Sequence, residues 1–241
     1  RRCKMGGLSG RISSIQTMGT LDGPGVRFIV FTQGCPLRCG CCHNPETWDI
    51  NGGSIMTAAE LAERAEKYRC YFGKKGGITV SGGEPLLQAD FVRELFSLCR
   101  EKGINTCLDT SGCILNDSVE RLLDVTDYCL LDIKYTTDEK YRSFVGCGMD
   151  APLRFLERLE EKNIPTRLRQ VTIKGLNDDE ENAARLKELW KSHSCVEEVE
   201  LLAFRTLCRE KYEKLGCDFR FGDIPETPKS EVTRLQRIIN E

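Results

Sequence analysis

The chain has 241 residues, of which 40% are hydrophobic and 30% charged, an ordinary globular composition that allows one large domain or two small ones. With 35 Lys and Arg residues against 37 Asp and Glu residues, the net charge is -2, so no strong overall field draws the chain to nucleic acid or anionic lipid. The longest apolar runs are far shorter than the roughly 18 residues of a membrane-spanning helix. We therefore expect no nucleic-acid partner and no membrane span.

Cysteine is unusually frequent, with 14 residues, yet less dense than in small disulfide scaffolds. The basic start at Arg1, Arg2 and Lys4 is followed by a polar, glycine-containing segment at 8–20 that lacks the apolar core of a signal peptide. We expect a cytoplasmic protein with reduced thiols, in which clustered cysteines bind metal or serve catalysis. The scattered cysteines are predicted to be small buried apolar residues: Cys70, Cys99, Cys107, Cys113, Cys129, Cys147 and Cys195.

Short β-branched runs alternate with amphipathic stretches, a pattern typical of an α/β protein. In chain order, strands are predicted at 26–32, 77–81, 104–109, 128–133, 166–173 and 199–204. Helices are predicted after a capping box of Thr57 and Glu60, at 91–102 behind Asp90, at 119–125 behind Asn116 or Asp117, from 137–138, and at 152–162, 178–191 and 230–240. The tail around Cys208 and Cys217 is predicted to be irregular.

Six βα units can form an open doubly wound sheet or a partial barrel, and the periodicity does not distinguish the two. In both architectures, chemistry gathers at the carboxyl ends of the strands. The polar residues that follow each predicted strand are therefore the candidates for a functional site.

The first predicted strand leads into a cysteine-rich segment. Cys35, Cys39 and Cys42 stand at C-x3-C-x2-C spacing, so three thiolates can converge. Iron–sulfur clusters are bound by cysteine thiolates, and a cubane bound by only three would leave one iron open to another ligand. Because glycine and cysteine at this density serve no packing purpose, the segment predicts an iron–sulfur site rather than a loop of free thiols.

Two other metal sites fit parts of the same segment. Cys39 to His43 has the C-x-x-C-H pattern of haem attachment, but haem attachment normally belongs to exported proteins and no second axial-ligand motif accompanies it. A structural zinc site would need a second ligand pair, which is missing. Cys41 could complete a four-thiolate site, but it projects differently from its neighbour Cys42 and would close the open iron.

The second predicted strand is followed by Gly82, Gly83 and Glu84. Two residues without a Cβ allow backbone to approach a ligand closely, and a carboxylate follows them. A plain tight turn is the competing interpretation. Because the turn stands at the end of a strand, the ligand-binding interpretation is favoured.

Charged residues end the later strands. Asp109 and Thr110 end the third strand, and alternation places Asp132 and Lys134, at the end of the fourth, on one face. A zwitterionic amino-acid group needs both signs of charge, and Arg169 in the fifth strand is a second cation candidate. A structural ion pair is the alternative.

The sixth predicted strand ends in Phe204 and Arg205. Either the aromatic ring or the guanidinium could cover an adenine ring. The alternative for Phe204 is a place in the core.

Together these features resemble the radical S-adenosylmethionine (SAM) enzymes, through the three-cysteine loop, the Gly-Gly-Glu turn and the six βα units. Within that superfamily the chain most resembles the glycyl-radical activating enzymes. Order and spacing agree over about residues 10–229, in DGPG at 22–25, CHN at 42–44, TWD at 47–49, SGGE at 81–84, CLDT at 107–110 and LDIK at 131–134.

The resemblance implies a partial (β/α)6 barrel, with one domain over 1–241, a core at about 24–205 and a tail with a helix at 206–241. It implies a [4Fe-4S] cluster on Cys35, Cys39 and Cys42, with SAM on the open iron. An electron from a flavodoxin-like or ferredoxin-like donor then cleaves SAM. Methionine leaves, and the 5′-deoxyadenosyl radical takes a hydrogen atom from a glycine of a partner enzyme.

The resemblance also implies roles for single residues. Gly83 and Glu84 would contact the methionine group of SAM. Apart from the resemblance, the glycines beside Asp22 permit close backbone approach and its carboxylate offers acceptors, so Asp22 is predicted to help present the partner's glycine segment, unless its loop is only a tight turn before the first strand. A monovalent cation would be bound by Asp109, Thr110 and Asp132. The remaining cofactor contacts are expected from Cys41, Cys42, His43, Asp109, Asp132, Ile133, Lys134, Arg169 and Arg205.

The chain departs from the family pattern at three places. Cys41 stands where an aromatic residue is usual, Arg205 where a histidine is expected, and Ala203 where a proline is expected. Contact with the adenine ring is therefore expected to be weaker.

Two other functions compete with this one. An iron–sulfur electron carrier or sensor would use four cysteines per cluster and would not need the Gly-Gly-Glu turn. Activases of other glycyl-radical enzymes often carry a ferredoxin-like insert after the cluster loop. Here residues 43–81 contain Cys70 as their only cysteine, which favours pyruvate formate-lyase as the partner.

Overall fold

A computed structural model describes residues 7–241, so the basic segment at Arg1, Arg2 and Lys4 lies outside the described residues. The strands are β1 Ser9–Gly19, β2 Arg27–Thr32, β3 Ser54–Thr57, β4 Gly77–Gly82, β5 Asn105–Thr110, β6 Tyr128–Asp132, β7 Thr166–Thr172 and β8 Val196–Ala203. The helices are α1 Ala58–Glu66, α2 Arg69–Phe72, α3 Ala89–Glu101, α4 Asp117–Leu123, α5 Asp138–Phe144, α6 Asp150–Glu161, α7 Glu180–Ser192, α8 Arg209–Leu215 and α9 Lys229–Asn240. Short 3-10 helices lie at Pro45–Thr47 and Pro85–Gln88.

All eight strands form one sheet in the order β3-β1-β2-β4-β5-β6-β7-β8. Six neighbouring strands are parallel to one another, namely β2, β4, β5, β6, β7 and β8. Strand β1 pairs antiparallel with β2 on one side and with β3 on the other. Strands β3 and β8 are the two edges, so the sheet is open. The partial barrel of six βα units is confirmed.

The six predicted strands are all present, with ends that differ by up to three residues, but β1 and β3 were missed. Strand β1 is mostly half-buried or exposed, and β3 has only four residues, so neither forms an apolar run. The prediction of an irregular tail around Cys208 was wrong, because α8 lies there. Tyr212 is the one buried side chain of α8, so the helix leaves no apolar periodicity in the sequence.

The helix starts follow from local capping. Thr57 and Glu60 form the predicted capping box at α1, and the Asn116 side chain accepts hydrogen bonds from two backbone amides at α4. Asp90 does not cap α3, which begins one residue earlier at Ala89. In that position Asp90 places a negative charge in the first turn of the helix.

The main core lies between the sheet and the helices that cover it. Helix α3 contributes Phe91, Leu95 and Cys99, which share one face because they are four residues apart, and Phe96, which is three residues before Cys99. Burying each such side chain contributes about 1.5–3 kcal/mol. Ile239 of α9 belongs to the same core. The sheet is thus fixed from one side, and the strand ends are free to form a site.

The cysteines of residues 7–241 are all free thiols. Cys99, Cys107, Cys129 and Cys195 are buried, as the sequence predicts. The prediction was wrong for three others: Cys113 and Cys147 are half-buried, and Cys70 is exposed on the short helix α2. Within the same residues, no helix combines the length and the apolar character that crossing a membrane requires.

Candidate active site

One cavity of about 390 Å³ opens at the carboxyl ends of the parallel strands, within the usual size range of small-molecule sites. Residues 34–44, called the cluster loop below, line it on one side. The turn after β4 and the ends of β5, β6 and β7 line the other. The predicted residues that line this cavity are Asp22, Cys35, Cys39, Cys41, Cys42, His43, Gly83, Glu84, Asp109, Thr110, Asp132, Lys134 and Arg169.

The Gly-Gly-Glu turn is bonded directly to the start of the cluster loop. The Gly83 amide donates to the Thr32 carbonyl at 2.9 Å, and the Glu84 amide donates to the Gly34 carbonyl at 2.8 Å. A Cβ at Gly83 would lie 2.2 Å from the Gly34 carbonyl oxygen. The absence of a Cβ at Gly83 is therefore required by close packing of two protein segments, and the sequence could not reveal that reason.

The Glu84 side chain is buried and fully engaged. Its Oε1 accepts from Thr110 Oγ1 at 2.6 Å and from the Leu86 amide at 3.2 Å, while its Oε2 accepts from the amide and the hydroxyl of Ser111. This carboxylate joins the turn to the end of β5. The amides of Gly83 and Glu84 are also hydrogen-bonded within the protein. We therefore expect a ligand to contact this turn through its carbonyl groups.

Burial governs the thiols of the cluster loop. It raises the pKa of Cys35 to about 11 and that of Cys41 to about 11, and it raises the pKa of Cys39 and Cys42 as well. The nearby Lys134 ammonium acts in the opposite direction on all four. Without iron the thiols are therefore protonated at pH 7, and metal binding must release their protons.

The donor set fits a cluster better than a single ion. Within residues 7–241, no three His, Cys, Asp or Glu side chains are placed to share one metal ion. A cubane takes one thiolate on each of three irons, so its ligands stand further apart. Cys35, Cys39 and Cys42 all line one cavity and stand at C-x3-C-x2-C spacing along the loop.

Opposite the thiols lies a network of charged side chains from three strands. Arg169 donates to Asp109 through Nη2 and to Asp132 Oδ1 through Nε at 3.0 Å. Lys134 Nζ lies 2.5 Å from Asp132 Oδ2, which confirms that these two residues share a face. Ser81 donates to Asp109 at 2.7 Å. The parallel register sets Asp132 directly beside Arg169.

The two carboxylates of this network differ in pKa. Burial raises the pKa of Asp109 to about 6, although Arg169 acts against it. Burial also acts to raise the pKa of Asp132, but Arg169 and Lys134 together outweigh it, and the pKa lies below its usual range. The pKa of Lys134 is raised, because Asp132 and the cysteine thiolates outweigh its burial. At pH 7 all these groups are charged.

The cavity lining is consequently acidic. Its carboxylates outnumber its cations by four to two, since Lys134 and Arg169 face Asp22, Glu84, Asp109 and Asp132. A ligand with net positive charge is complementary to such a lining. SAM, with its sulfonium, ammonium and carboxylate, is a ligand of that kind.

Asp22 is half-buried and lines the cavity, and burial raises its pKa. Its carbonyl accepts from Thr79 Oγ1 at 2.6 Å. Gly25 has φ of +71° and a Cβ there would lie 2.6 Å from the Gly76 amide nitrogen, so the loop is also a tight turn. The two interpretations of this loop are compatible, because the turn aims Asp22 into the cavity.

Three predicted side chains lie away from the cavity lining. Ile133 is buried in the main core, and Phe204 packs at 6.2 Å from Phe219. The Arg205 guanidinium contacts Glu226 at 3.3 Å and the Thr227 carbonyl. Only the Arg205 carbonyl approaches the site, 3.0 Å from His43 Nε2.

Other residues at the site were missed by sequence reasoning. Ser81 and Ser111 orient Asp109 and Glu84, and the apolar wall comes from Phe31, Val171, Leu202 and Ala203. A signal for the two serines existed, because each stands at the end of a predicted strand. Nothing in the sequence distinguishes the apolar wall from the core.

The comparison with known proteins decides the family. The model of the Radical SAM superfamily matches residues 29–186. The pyruvate formate-lyase-activating enzyme of Clostridium pasteurianum is 42% identical over 233 residues, covering 96% of this chain and 98% of that protein. The pyruvate formate-lyase 1-activating enzyme of Escherichia coli strain K12 is 39% identical over 235 residues, covering 96% of each.

The chain belongs to the pyruvate formate-lyase activating enzymes, within the radical SAM superfamily. Members of this family are radical SAM enzymes that use a [4Fe-4S] cluster and SAM, and the three thiols and the acidic cavity fit both groups. The fold likeness extends to SuiB of Streptococcus suis bound to its precursor peptide, with a TM-score of 0.68 and 15% identity over 88% of this chain and 44% of that one. That likeness concerns the fold alone.

Proposed function

We propose that this chain forms a glycyl radical on pyruvate formate-lyase. The observation that carries the proposal is the single cavity that joins three C-x3-C-x2-C thiols to a charged network of both signs. Full-length similarity to two enzymes named for activating pyruvate formate-lyase supports the choice of partner.

When bound, the cofactors would supply the radical chemistry: the cluster would give one electron for cleavage of SAM, with methionine as the leaving group, and the 5′-deoxyadenosyl group would take a hydrogen atom from the partner's glycine. The protein's part is to bind and orient. Cys35, Cys39 and Cys42 bind the cluster as thiolates. The Lys134 ammonium balances part of their negative charge, because it lies close enough to lower their pKa.

The charged network suits the amino-acid group of SAM. The SAM carboxylate would face Lys134 and Arg169, and the SAM ammonium would face Asp132 and the carbonyl groups of the Gly83 turn. Arg169 already bridges Asp109 and Asp132 and is nearly buried, so the network is preorganised. Preorganised charges need no rearrangement when the ligand arrives.

Further parts of the proposal concern the cation, the electron donor, the cellular site and the domain. A monovalent cation at Asp109, Thr110 and Asp132 would share these groups with Arg169 and Glu84, which bond to them in the structure. A flavodoxin-like or ferredoxin-like protein would supply the electron in the cytoplasm. Residues 1–241 would act as one radical SAM domain.

The test is anaerobic reconstitution with iron and sulfide, reduction, addition of SAM and one partner at a time, and electron paramagnetic resonance (EPR) detection. We expect a glycyl radical with pyruvate formate-lyase and none with its variant in which the radical glycine is alanine. A radical formed only on another glycyl-radical enzyme would show that this other enzyme is the partner. A reducible cluster that never cleaves SAM would support an electron carrier instead.

A further inference from the structure

Helix α8, in the part of the tail that looked irregular, covers the Cys42 end of the cluster loop. Tyr212 donates its hydroxyl proton to the Cys42 carbonyl at 3.0 Å. The Tyr212 ring is buried, stacks on Phe219 at 4.6 Å and meets Trp48 edge-on at 5.7 Å. Because the ring is fixed from two sides, its hydroxyl can hold the Cys42 carbonyl in one position.

The preceding residue of α8 binds the next part of the loop. Lys211 Nζ lies 3.0 Å from the His43 carbonyl, 3.0 Å from Asn44 Oδ1 and 2.6 Å from Glu46 Oε1. These partners use all three N–H groups of the ammonium. The pair with Glu46 is partly exposed and contributes little energy by itself. The importance of Lys211 is geometric, because one group ties down three nearby positions of the chain.

The rest of the cluster loop is anchored elsewhere. The amides of Arg38 and Gly40 donate to the carbonyls of Val145 and Phe144 at 3.0 and 2.9 Å, and Gly34 is bonded to the Gly-Gly-Glu turn. These contacts fix the segment around Cys35 and Cys39. At Cys42 the amide donates to the Cys39 carbonyl at 3.1 Å within the loop, and His43 Nε2 lies 3.0 Å from the Arg205 carbonyl. Lys211 and Tyr212 of α8 add the side-chain contacts to the backbone carbonyls of Cys42 and His43.

We propose that Lys211 and Tyr212 are positioning residues that hold Cys42 in its ligand geometry and so determine how firmly the cluster is retained. Neither residue is expected to touch the cluster or SAM. This proposal rests on the assignment of Cys35, Cys39 and Cys42 as ligands, and its test separates the two claims.

The test uses three variants of the full chain, beside Cys42→Ala as a check of the ligand assignment. Tyr212→Phe removes the hydroxyl and keeps the ring, and Lys211→Met removes the ammonium and keeps the length. Lys214→Met is the matched control, because Lys214 lies on the same helix, is 79% exposed and, among residues 7–241, forms an ion pair with Glu210 alone, at 3.9 Å. Measurements are the rate of iron loss to a chelator, the EPR spectrum of the reduced cluster with and without SAM, and the melting temperature of the cluster-free protein.

We expect iron loss to be about fivefold faster in Tyr212→Phe, the factor of one neutral hydrogen bond, and faster still in Lys211→Met. The EPR spectrum of both should broaden, while Lys214→Met matches the wild type. Wild-type rates in both test variants would overturn the proposal. So would faster iron loss that only parallels a fall in cluster-free melting temperature, because α8 would then be a general brace. Iron retained in Cys42→Ala would instead refute the ligand assignment.

Discussion

The two sides of the cavity are built in different ways. The cluster loop brings its thiols from one short segment, and remote groups bond to its backbone. The charged network brings its side chains from the ends of β5 and β6 and from β7, and those side chains bond to one another. The cluster loop is thus one continuous segment that is held by residues outside it. The charged network combines residues far apart in the sequence that hold one another.

This difference determines how each side should respond to change. A cluster with three protein ligands has no spare thiolate of the right spacing, so loss of one ligand removes the site. In the network, Asp132 keeps its ion pair with Arg169 when Lys134 is removed. Arg169 likewise keeps its ion pair with Asp132 when Asp109 is neutralised. We therefore expect complete loss on one side and graded loss on the other.

The largest effect is expected at the cluster ligands. Cys35→Ala, Cys39→Ala or Cys42→Ala should each abolish cluster assembly and glycyl-radical formation, because each removes one of three ligands. Cys41→Tyr should keep both, since Cys41 lines the cavity without ligand spacing. Iron content and EPR spectra measure the outcome. Loss of the cluster in Cys41→Tyr together with its retention in Cys39→Ala would show that the ligands are wrongly assigned.

A smaller, graded effect is expected in the network. Lys134→Met and Asp132→Asn should weaken SAM binding by about tenfold or more, the usual range for a hydrogen bond to a charged group, with iron content unchanged. Titration of the anaerobic holoenzyme with SAM measures the affinity.

These variants need a control for folding, because leaving a buried charge unpaired costs about 3–5 kcal/mol. Lys162→Met is matched to Lys134→Met, since both side chains are about equally exposed, at 18% and 19%, and each lies 2.5 Å from an aspartate. Neither Lys162 nor its partner Asp124 lines the cavity. Unchanged SAM affinity in well-folded Lys134→Met would remove this side chain from the cofactor site.

At Asp22, a selective effect is expected. Asp22→Ala should raise the concentration of partner peptide needed for hydrogen abstraction, because Asp22 lines the cavity and offers hydrogen-bond acceptors there. Cleavage of SAM without peptide should stay near the wild-type rate. Equal loss of both activities would mean that the loop only supports the sheet, and an unchanged peptide dependence would exclude Asp22 from the partner site.

The smallest effect is a pH dependence of stability. The pKa of Asp109 is about 6 in the folded protein, above its usual 3.8, so the folded state retains this proton while the unfolded state releases it. Between about pH 4 and pH 6 the wild type should lose free energy of unfolding relative to Asp109→Asn, with no further change above that range.

Urea unfolding of both cluster-free proteins at several pH values measures this difference. Other carboxylates titrate in the same range, and comparison with the variant cancels their contribution. A wild type that gains stability over the same range would mean that the Arg169 ion pair outweighs burial. In that case Asp109 would behave like Asp132.

The sequence by itself was sufficient wherever the information is local or periodic. Strand and helix periodicity predicted the six βα units, and the capping box predicted the start of α1. Cysteine spacing predicted the cluster loop, because covalent connection limits how far three thiols within eight residues can separate. The rule that chemistry gathers at strand ends brought out the residues that line the cavity.

Tertiary structure alone decided which of these groups pair. Sequence cannot show that Arg169 bonds to both Asp109 and Asp132. It cannot show that the Glu84 carboxylate bonds to the end of β5, or that the Arg205 guanidinium lies outside the cavity. Nor can it show α8 over Cys42, because a helix with one buried residue carries no periodic signal. Such contacts join residues far apart in the chain, and their geometry depends on register and packing that no local pattern encodes.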